Sequence, residues 1–351
     1  MNSLDRPQAP LRVVQWATGN IGMRSLRAVI EHPDLELVGL LVYDDAKAGR
    51  DAGELCGLGP VGVTATRDVG DILDLHADCV VHMARQCDFD VLAQVLRSGT
   101  NVVTTRGEFH HPPSMEPSRR TQIEDACEQG NSSIHSTGSS PGFISEAVPL
   151  TLLSLQRRLD HLVIDEFADL SQRNSPELLF DLMGYGADPT GFGPERWAHG
   201  ATSFGPTLRA LAEAVGLPLD TVDATGAVAA ARHDVTIAAG VIRAGTVAAQ
   251  RMTVTGWRRD QALLRFRATW YCTDDLDAEW DLHPTGWRVQ VVGDTPLDVG
   301  IRFDVPLARM GELSPGLTAH RAVNAVPALC AASPGIRTTA ELAQVVPVLG
   351  R

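Results

Sequence analysis

Hydrophobic positions in the first 140 residues alternate between two spacings. Short apolar runs occur at "LRVVQWAT" (11–18), "LELVGLLVY" (35–43), "ADCVVHMA" (77–84), "NVVTT" (101–105) and "SSIHSTG" (132–138), each predicting a buried strand. Between them "IGMRSLRAVIEHP", "DFDVLAQVLRSG" and "PSRRTQIEDACEQG" place apolar residues at helical spacing and end at Pro33, Gly99 and Gly130. Strands that alternate with helices pair in parallel, which predicts a Rossmann-type, doubly wound α/β sheet.

From about Pro141 the pattern changes. "PGFISEAVPLTLLSLQRRL" reads as one long helix and "HLVIDEFADL" as a strand, while "SPELLFDLMGYG" and "TLRALAEAVG" look helical. Between Val235 and Val305 come "DVTIAAGVI", "VAAQRMTVTGW", "ALLRFRATWYC", "GWRVQVVG" and "DVGIRFDV", an antiparallel meander. Helix signals return in "LTAHRAVNAVPALCAA" and "TTAELAQVVP". The pattern predicts a Rossmann domain over 1–145, an α+β domain with a mostly antiparallel sheet over 146–310, and helices over 311–351.

The chain has 351 residues, 44% hydrophobic and 21% charged, enough for two globular domains. A net charge of −13 argues against nucleic acid and against an anionic membrane surface. The N-terminal "MNSLDRPQAPLR" lacks the basic start and apolar run of a leader peptide. No apolar stretch approaches the ~20 residues that span a bilayer. Six scattered cysteines (56, 79, 87, 127, 272 and 330) form no CxxC pair and predict reduced thiols in a cytoplasmic protein.

"QWATGNIGMRSL" joins the first strand to the first helix. Gly19 and Gly22 take the last two positions of a GxxGxxG turn, with Trp16 at the first. Such a turn presents backbone N–H groups and a helix N-terminus to a pyrophosphate. Thr18, Gly19, Asn20, Ile21 and Gly22 are therefore candidate cofactor-binding residues. Asp44, after the second strand, has the spacing of a ribose-binding carboxylate, which favours NAD; Lys47 and Arg50 on the same loop suit the 2′-phosphate of NADP.

Ligands of open α/β sheets gather beyond the carboxyl ends of the strands. Ala84 and Arg85 in "MARQCD", Thr105 in "TTRGEFHH", and Gly138 and Ser140 in "STGSSPG" occupy such ends and complete the cofactor set there. "TTRGEFHH" also carries Glu108, His110 and His111. A carboxylate beside a nicotinamide could bind a cationic amine or move a proton; a solvated loop glutamate is the plain alternative. The three residues are too closely spaced for a regular metal-ligand set, and HExxH is absent. His110 is expected to line the crevice, and His111, before two prolines, to be structural or exposed.

The first 160 residues resemble dihydrodipicolinate reductase in the glycine turn, "DAGEL", the strand ending near Arg85, the "TT" strand end and the small loop before a helix. That resemblance implies a second domain that binds substrate and mediates oligomerisation. The reductase's paired-histidine signature and "SGT" segment are missing; "ARHDVTIAAG" has a lone His233. Over nearly the whole chain "WATGNIG", "KAGRDAGEL", "SSPGF", "LFDLMGYG", "ARHDVTIAAG" and "AVNAVPALCAASPGI" resemble the diaminopentanoate dehydrogenase-like group, which includes the native NAD(P)-dependent amine dehydrogenases.

The resemblance implies that Glu108 is the catalytic carboxylate that handles ammonia. It also implies a substrate pocket with Phe143, Asn174, Leu179, Met183 and His199, and Asn324 and Pro327 near the nicotinamide. The expected function is NAD(P)H-dependent reductive amination of ketones or aldehydes and its reverse, by a homodimer without bound metal. The alternatives are an amino-acid or diamino-acid dehydrogenase, with Arg173 as the cation for a carboxylate, and a cofactor-binding regulator or reductase without amine activity.

Overall fold

A computed structural model describes residues 9–349, so the expected absence of a leader peptide falls largely on residues outside the description. The chain divides into two compact units, 1–143 with 315–351 and 144–314.

The first unit carries β1 (Leu11–Trp16), α1 (Asn20–Glu31), β2 (Leu35–Leu41), α2 (Ala52–Leu55), β3 (Ala65–Thr66), α3 (Val69–Leu73), β4 (Cys79–His82), α4 (Phe89–Arg97), β5 (Asn101–Thr104), α5 (Pro117–Gly130) and β6 (Ser133–Ser136). The second carries α6 (Val148–Leu153), β7 (Leu159–Asp169), α7 (Glu195–Ala214), β8 (Thr221–Ala230), β9 (Val235–Ile237), β10 (Gly240–Ile242), β11 (Val247–Arg258), β12 (Gln261–Tyr271), β13 (Gly286–Gly293) and β14 (Leu297–Arg302). Helix α8 (Leu307–Cys330) leads from the second unit to β15 (Gly335–Arg337) in the first.

All pairs in the first sheet are parallel, in the order β15-β6-β5-β4-β1-β2-β3. The order reverses between β1 and β4, the place where doubly wound sheets open a crevice. Val13, Val81 and Val103 are fully buried and pack with Ala322, Val326 and Leu329 of α8. Val14, Val80 and Val102 meet α4 and α5 on the other face through Leu92, Leu96 and Ile123. Burial on both faces explains why these strands read as continuous apolar runs.

The second sheet runs β14-β13-β7-β12-β11-β8, antiparallel except between β7 and β12. It includes β8, which no apolar run announces, because this strand is built from small and polar residues. "DVTIAAGVI" is not one strand but the separate hairpin β9–β10.

Three predicted helices change. The run over 141–159 is non-helical at Pro141 and Gly142, and its helix stops at Leu153. The backbone amides of Arg157 and Arg158 then donate to Asp294 and turn the chain into β7. The helix expected over 207–216 is the last half of the 20-residue α7, whose start the sequence hides behind Gly200, Gly205 and Pro206. "TTAELAQVVP" forms no helix. Thr338 and Glu341 close a single capping turn, and Leu342 and Val345 then join the core beside α8.

Candidate active site

The glycine turn is braced from inside. Gln15, fully buried on β1, donates through Nε2 to Ala17 O (2.9 Å) and accepts from Ser25 Oγ (2.7 Å). Ala17 adopts a left-handed conformation (φ 72°), which turns its carbonyl toward α1. A Cβ on Gly22 would lie 2.2 Å from that oxygen, so only glycine lets α1 start this close to β1. Gly19 is different: a Cβ there meets nothing within 4 Å, and its φ of −69° suits any residue. No side chain among the described residues caps α1, so its first N–H groups have no side-chain acceptor. Trp16 can replace a first glycine because it is still within β1, with its indole N–H donating to the hydroxyl of Tyr43 (2.9 Å).

Beyond β2, Asp44 accepts from the amide of Ala46 (2.9 Å) and is exposed. Lys47 reaches across the turn, its Nζ donating to Thr18 O (3.0 Å) and Oγ1 (3.2 Å). Arg50 is exposed on the same loop. The structure therefore ties Lys47 to the turn and leaves Arg50 as the more open cation.

At the end of β5 the chain enters a 3₁₀ turn, Gly107–Phe109, with Arg106 before it. Phe109 is fully buried against Phe89 (ring centroids 5.7 Å apart) and anchors the turn. This places Glu108 beside Arg106: Nη2 donates to Oε1 at 2.5 Å, with both side chains about one-third exposed, 31% and 33%. Oε2 of Glu108 is buried and, among the described residues, accepts no hydrogen bond. Arg106 Nη1 donates to Arg85 O (2.6 Å), so the "MARQCD" and "TTRGE" strand ends are joined. His82, at the end of β4, shares a hydrogen bond with Thr104 Oγ1 (3.0 Å). Burial, and then the charge of Arg106, lowers its pKa from 6.5 to about 4, so its imidazole is neutral at physiological pH. Burial, reinforced by the Glu108 charge, pushes the Cys87 thiol up to about 12. Sequence reasoning missed Arg106; its signal is an opposite charge two residues from Glu108 across a glycine.

His110 and His111 are both buried, and His111 Nδ1 pairs with Ser114 Oγ (2.6 Å). Of the two expectations for His111, structural or exposed, its burial and this pair give the first. Among the described residues no group of three or more His, Cys, Asp or Glu side chains is placed to hold a metal.

The small loop after β6 is tied to α8. Ser139 Oγ pairs with Thr318 Oγ1 (2.8 Å), and a Cβ on Gly138 would press on Thr318 and on Pro141 O. The Oγ of Ser140 is buried without a partner among the described residues. Asn324 is half-buried on α8 between Val323 and Ala325 of the core, with Pro327 one turn further on. Thr105 follows directly on β5, and Ala84 comes two residues after the end of β4. Phe143 sits in the first unit, its amide donating to Gly138 O (2.8 Å) and its ring facing Arg321.

In the second unit, Met183 and His199 line a cavity of about 460 Å³ with Leu182, Trp197, Met252 and Trp270. Its guanidinium, from Arg196, is engaged by the carbonyls of Leu182 and Met183 and lies over the ring of Phe192. Gln250 also donates to Met183 O (2.6 Å). Leu179 is not part of this lining. It is fully buried in the unit's core with Tyr185 and Ile242, because its helical turn points it inward. Asn174 is exposed on the loop after β7. Arg173 lies apart, in a recess of about 70 Å³ shared with Asp169.

A family model described as the dihydrodipicolinate reductase N-terminus matches residues 13–129. An amine dehydrogenase of Streptomyces virginiae is 28% identical over 97% of this chain and 98% of its own length. The resemblance to amine dehydrogenase runs the length of the chain. The structure of an amine dehydrogenase from Mycobacterium smegmatis shares the fold, with a TM-score of 0.76 at 19% identity, covering 97% of this chain and 98% of that one.

The reductase likeness is local by comparison. The 4-hydroxy-tetrahydrodipicolinate reductase of Synechococcus elongatus is 32% identical over 21% of this chain and 32% of its own length. The second unit agrees with that limit, since His233, the lone histidine of "ARHDVTIAAG", is a surface residue paired with Asp275 (2.7 Å).

Proposed function

We propose that the protein is an NAD(P)-dependent amine dehydrogenase, which joins ammonia to an aldehyde or ketone, reduces the product to a primary amine and runs the reverse oxidation. The observation that carries this reading is Glu108: a carboxylate with one oxygen held by Arg106 and the other, Oε2, buried without a partner at the carboxyl end of a parallel strand. The full-length likeness to an amine dehydrogenase supports it.

The glycine turn fits a dinucleotide, given the close approach enforced by Gly22 and the uncapped start of α1. Thr18 to Gly22 would hold the pyrophosphate, Asp44 and Arg50 the adenosine ribose, and the loop around Gly138 and Ser140 the nicotinamide side. The bound dinucleotide supplies or takes up hydride. Glu108 Oε2 accepts an N–H of ammonia and orients its lone pair for attack on the carbonyl. The same oxygen then carries the protons that convert a hydroxyl into water. In a site shielded from water this carboxylate also attracts the cationic carbon–nitrogen species that follows.

The cavity of the second unit, rich in Met and Trp, suits an apolar carbonyl substrate. Its one guanidinium already donates to two backbone carbonyls, which leaves it less able to pair with an amino-acid carboxylate. This favours ketones and aldehydes over keto acids. Arg173, the cation considered for a carboxylate, sits beside Asp169 in a recess too small for an amino acid. We also read the protein as a cytoplasmic homodimer; its six free thiols support a reducing compartment. No helix among the described residues is long and apolar enough to cross a membrane.

The test follows NADH or NADPH absorbance with aldehydes, ketones and keto acids, with and without ammonium. Ammonium-dependent oxidation of cofactor is expected. Glu108→Gln is expected to abolish it, by 10²-fold or more, on the order of the contribution of general acid–base catalysis, while fluorescence titration shows the cofactor still bound. Full amination activity in that variant would overturn the assignment.

A further inference from the structure

We propose that Arg106 is the positioning residue of this site: it holds Glu108 by Oε1 and so leaves Oε2, buried and unpartnered among the described residues, as the oxygen that accepts from ammonia. The inference rests on the reading of Glu108 as the ammonia-handling carboxylate.

Arg106 is fixed from three neighbouring strand ends. Its backbone amide donates to Thr104 Oγ1 on β5 (3.2 Å), and its carbonyl accepts from Ser136 Oγ on β6. Its Nη1 donates to Arg85 O after β4 (2.6 Å). Thr104 and Ser136 are buried, so the anchors themselves belong to the sheet. With one Nη on that carbonyl, the planar fork aims the other at Glu108 Oε1 (2.5 Å). A glutamate side chain has three rotatable bonds and samples many rotamers when free. Held at Oε1, it presents Oε2 in one direction, and reacting groups gain most from such fixed geometry. Lysine cannot copy this arrangement, because an ammonium on a flexible stem lacks the two parallel arms.

The experiment compares Arg106→Ala, Arg106→Gln and Arg106→Lys in the full chain, with cofactor affinity read by fluorescence titration and kinetics read against ammonium. In the alanine and glutamine variants KM for ammonium is expected to rise about tenfold and kcat to fall, the size of one charge-assisted hydrogen bond discounted for partial exposure. Cofactor affinity stays within about twofold, since Arg106 does not belong to the glycine turn. Arg106→Lys recovers part of the loss, and added guanidinium ion restores part of the activity of Arg106→Ala. In the Glu108→Gln background, Arg106→Gln adds nothing further, because the group it positions is gone.

Wild-type KM for ammonium in both neutral variants would overturn the proposal. So would an equal loss of cofactor binding in both, which marks a structural role. If Glu108→Gln itself retains full activity, the reading of Glu108 fails first. If Glu108→Gln is inactive while the Arg106 variants behave as wild type, only the positioning role fails.

Discussion

Single residues at this site differ in how far the local sequence explains them. Gly19 and Gly22 look alike in the motif, yet the structure gives them different tasks. Gly22 is fixed by the fold, since a Cβ there would meet Ala17 O at 2.2 Å. Gly22→Ala is expected to lower stability by about 1–3 kcal/mol, the usual range for forced overpacking, read as a fall in melting temperature without cofactor. Gly19→Ala meets nothing in the protein, so its melting temperature should stay at the wild-type value while dinucleotide affinity drops. An equal loss of stability in both variants would refute this division. Glu108 was visible as a carboxylate after a strand. Arg106 was not visible as its holder, because the geometry depends on a 3₁₀ turn and on the carbonyl of Arg85, 21 residues away.

Elements were legible where periodicity was strong and hidden where packing replaced it. The parallel strands announced themselves because both faces are buried. β8 did not, since its own residues are small where they face large partners: Gly226 lies under the indole of Trp197 on α7, where a Cβ would come within 2.2 Å of the ring. Gly226→Ala is expected to push α7 off the second sheet and cost about 1–3 kcal/mol, measured by chemical denaturation. An unchanged midpoint would show that Trp197 repacks freely. The start of α7 was obscured by Pro206 and two glycines, yet Trp197, Phe204 and Leu208 still bury one face, with Phe204 stacked on Phe266 at 4.2 Å. Tertiary burial here overrides poor helix propensity. The opposite holds at 338–347, where one capping turn precedes too little chain for a stable helix before Pro347.

At the scale of the whole molecule, acid stability should report on His82. Folded His82 takes up its proton near pH 4, whereas an unfolded histidine does so near 6.5. Between these values the unfolded state binds more protons, so the contribution is complete above about pH 6.5 and is lost as pH falls toward 4. The loss is on the order of 3 kcal/mol, and His82→Gln should flatten the stability curve in that window. Identical pH dependence in the two proteins would rule this out. By itself, the sequence determined the alternation of strands and helices, the parallel sheet, the glycine turn and the position of Glu108 at a strand end. All of these depend on neighbours a few residues apart. Only the tertiary structure decided that Arg106 holds Glu108, that Lys47 is tied to Thr18, that Leu179 is core, and that Met183 joins Gln250, 67 residues on, around one cavity. Those pairings follow from which strand ends and helix faces the packed units bring together, and local periodicity carries no record of such distant neighbours.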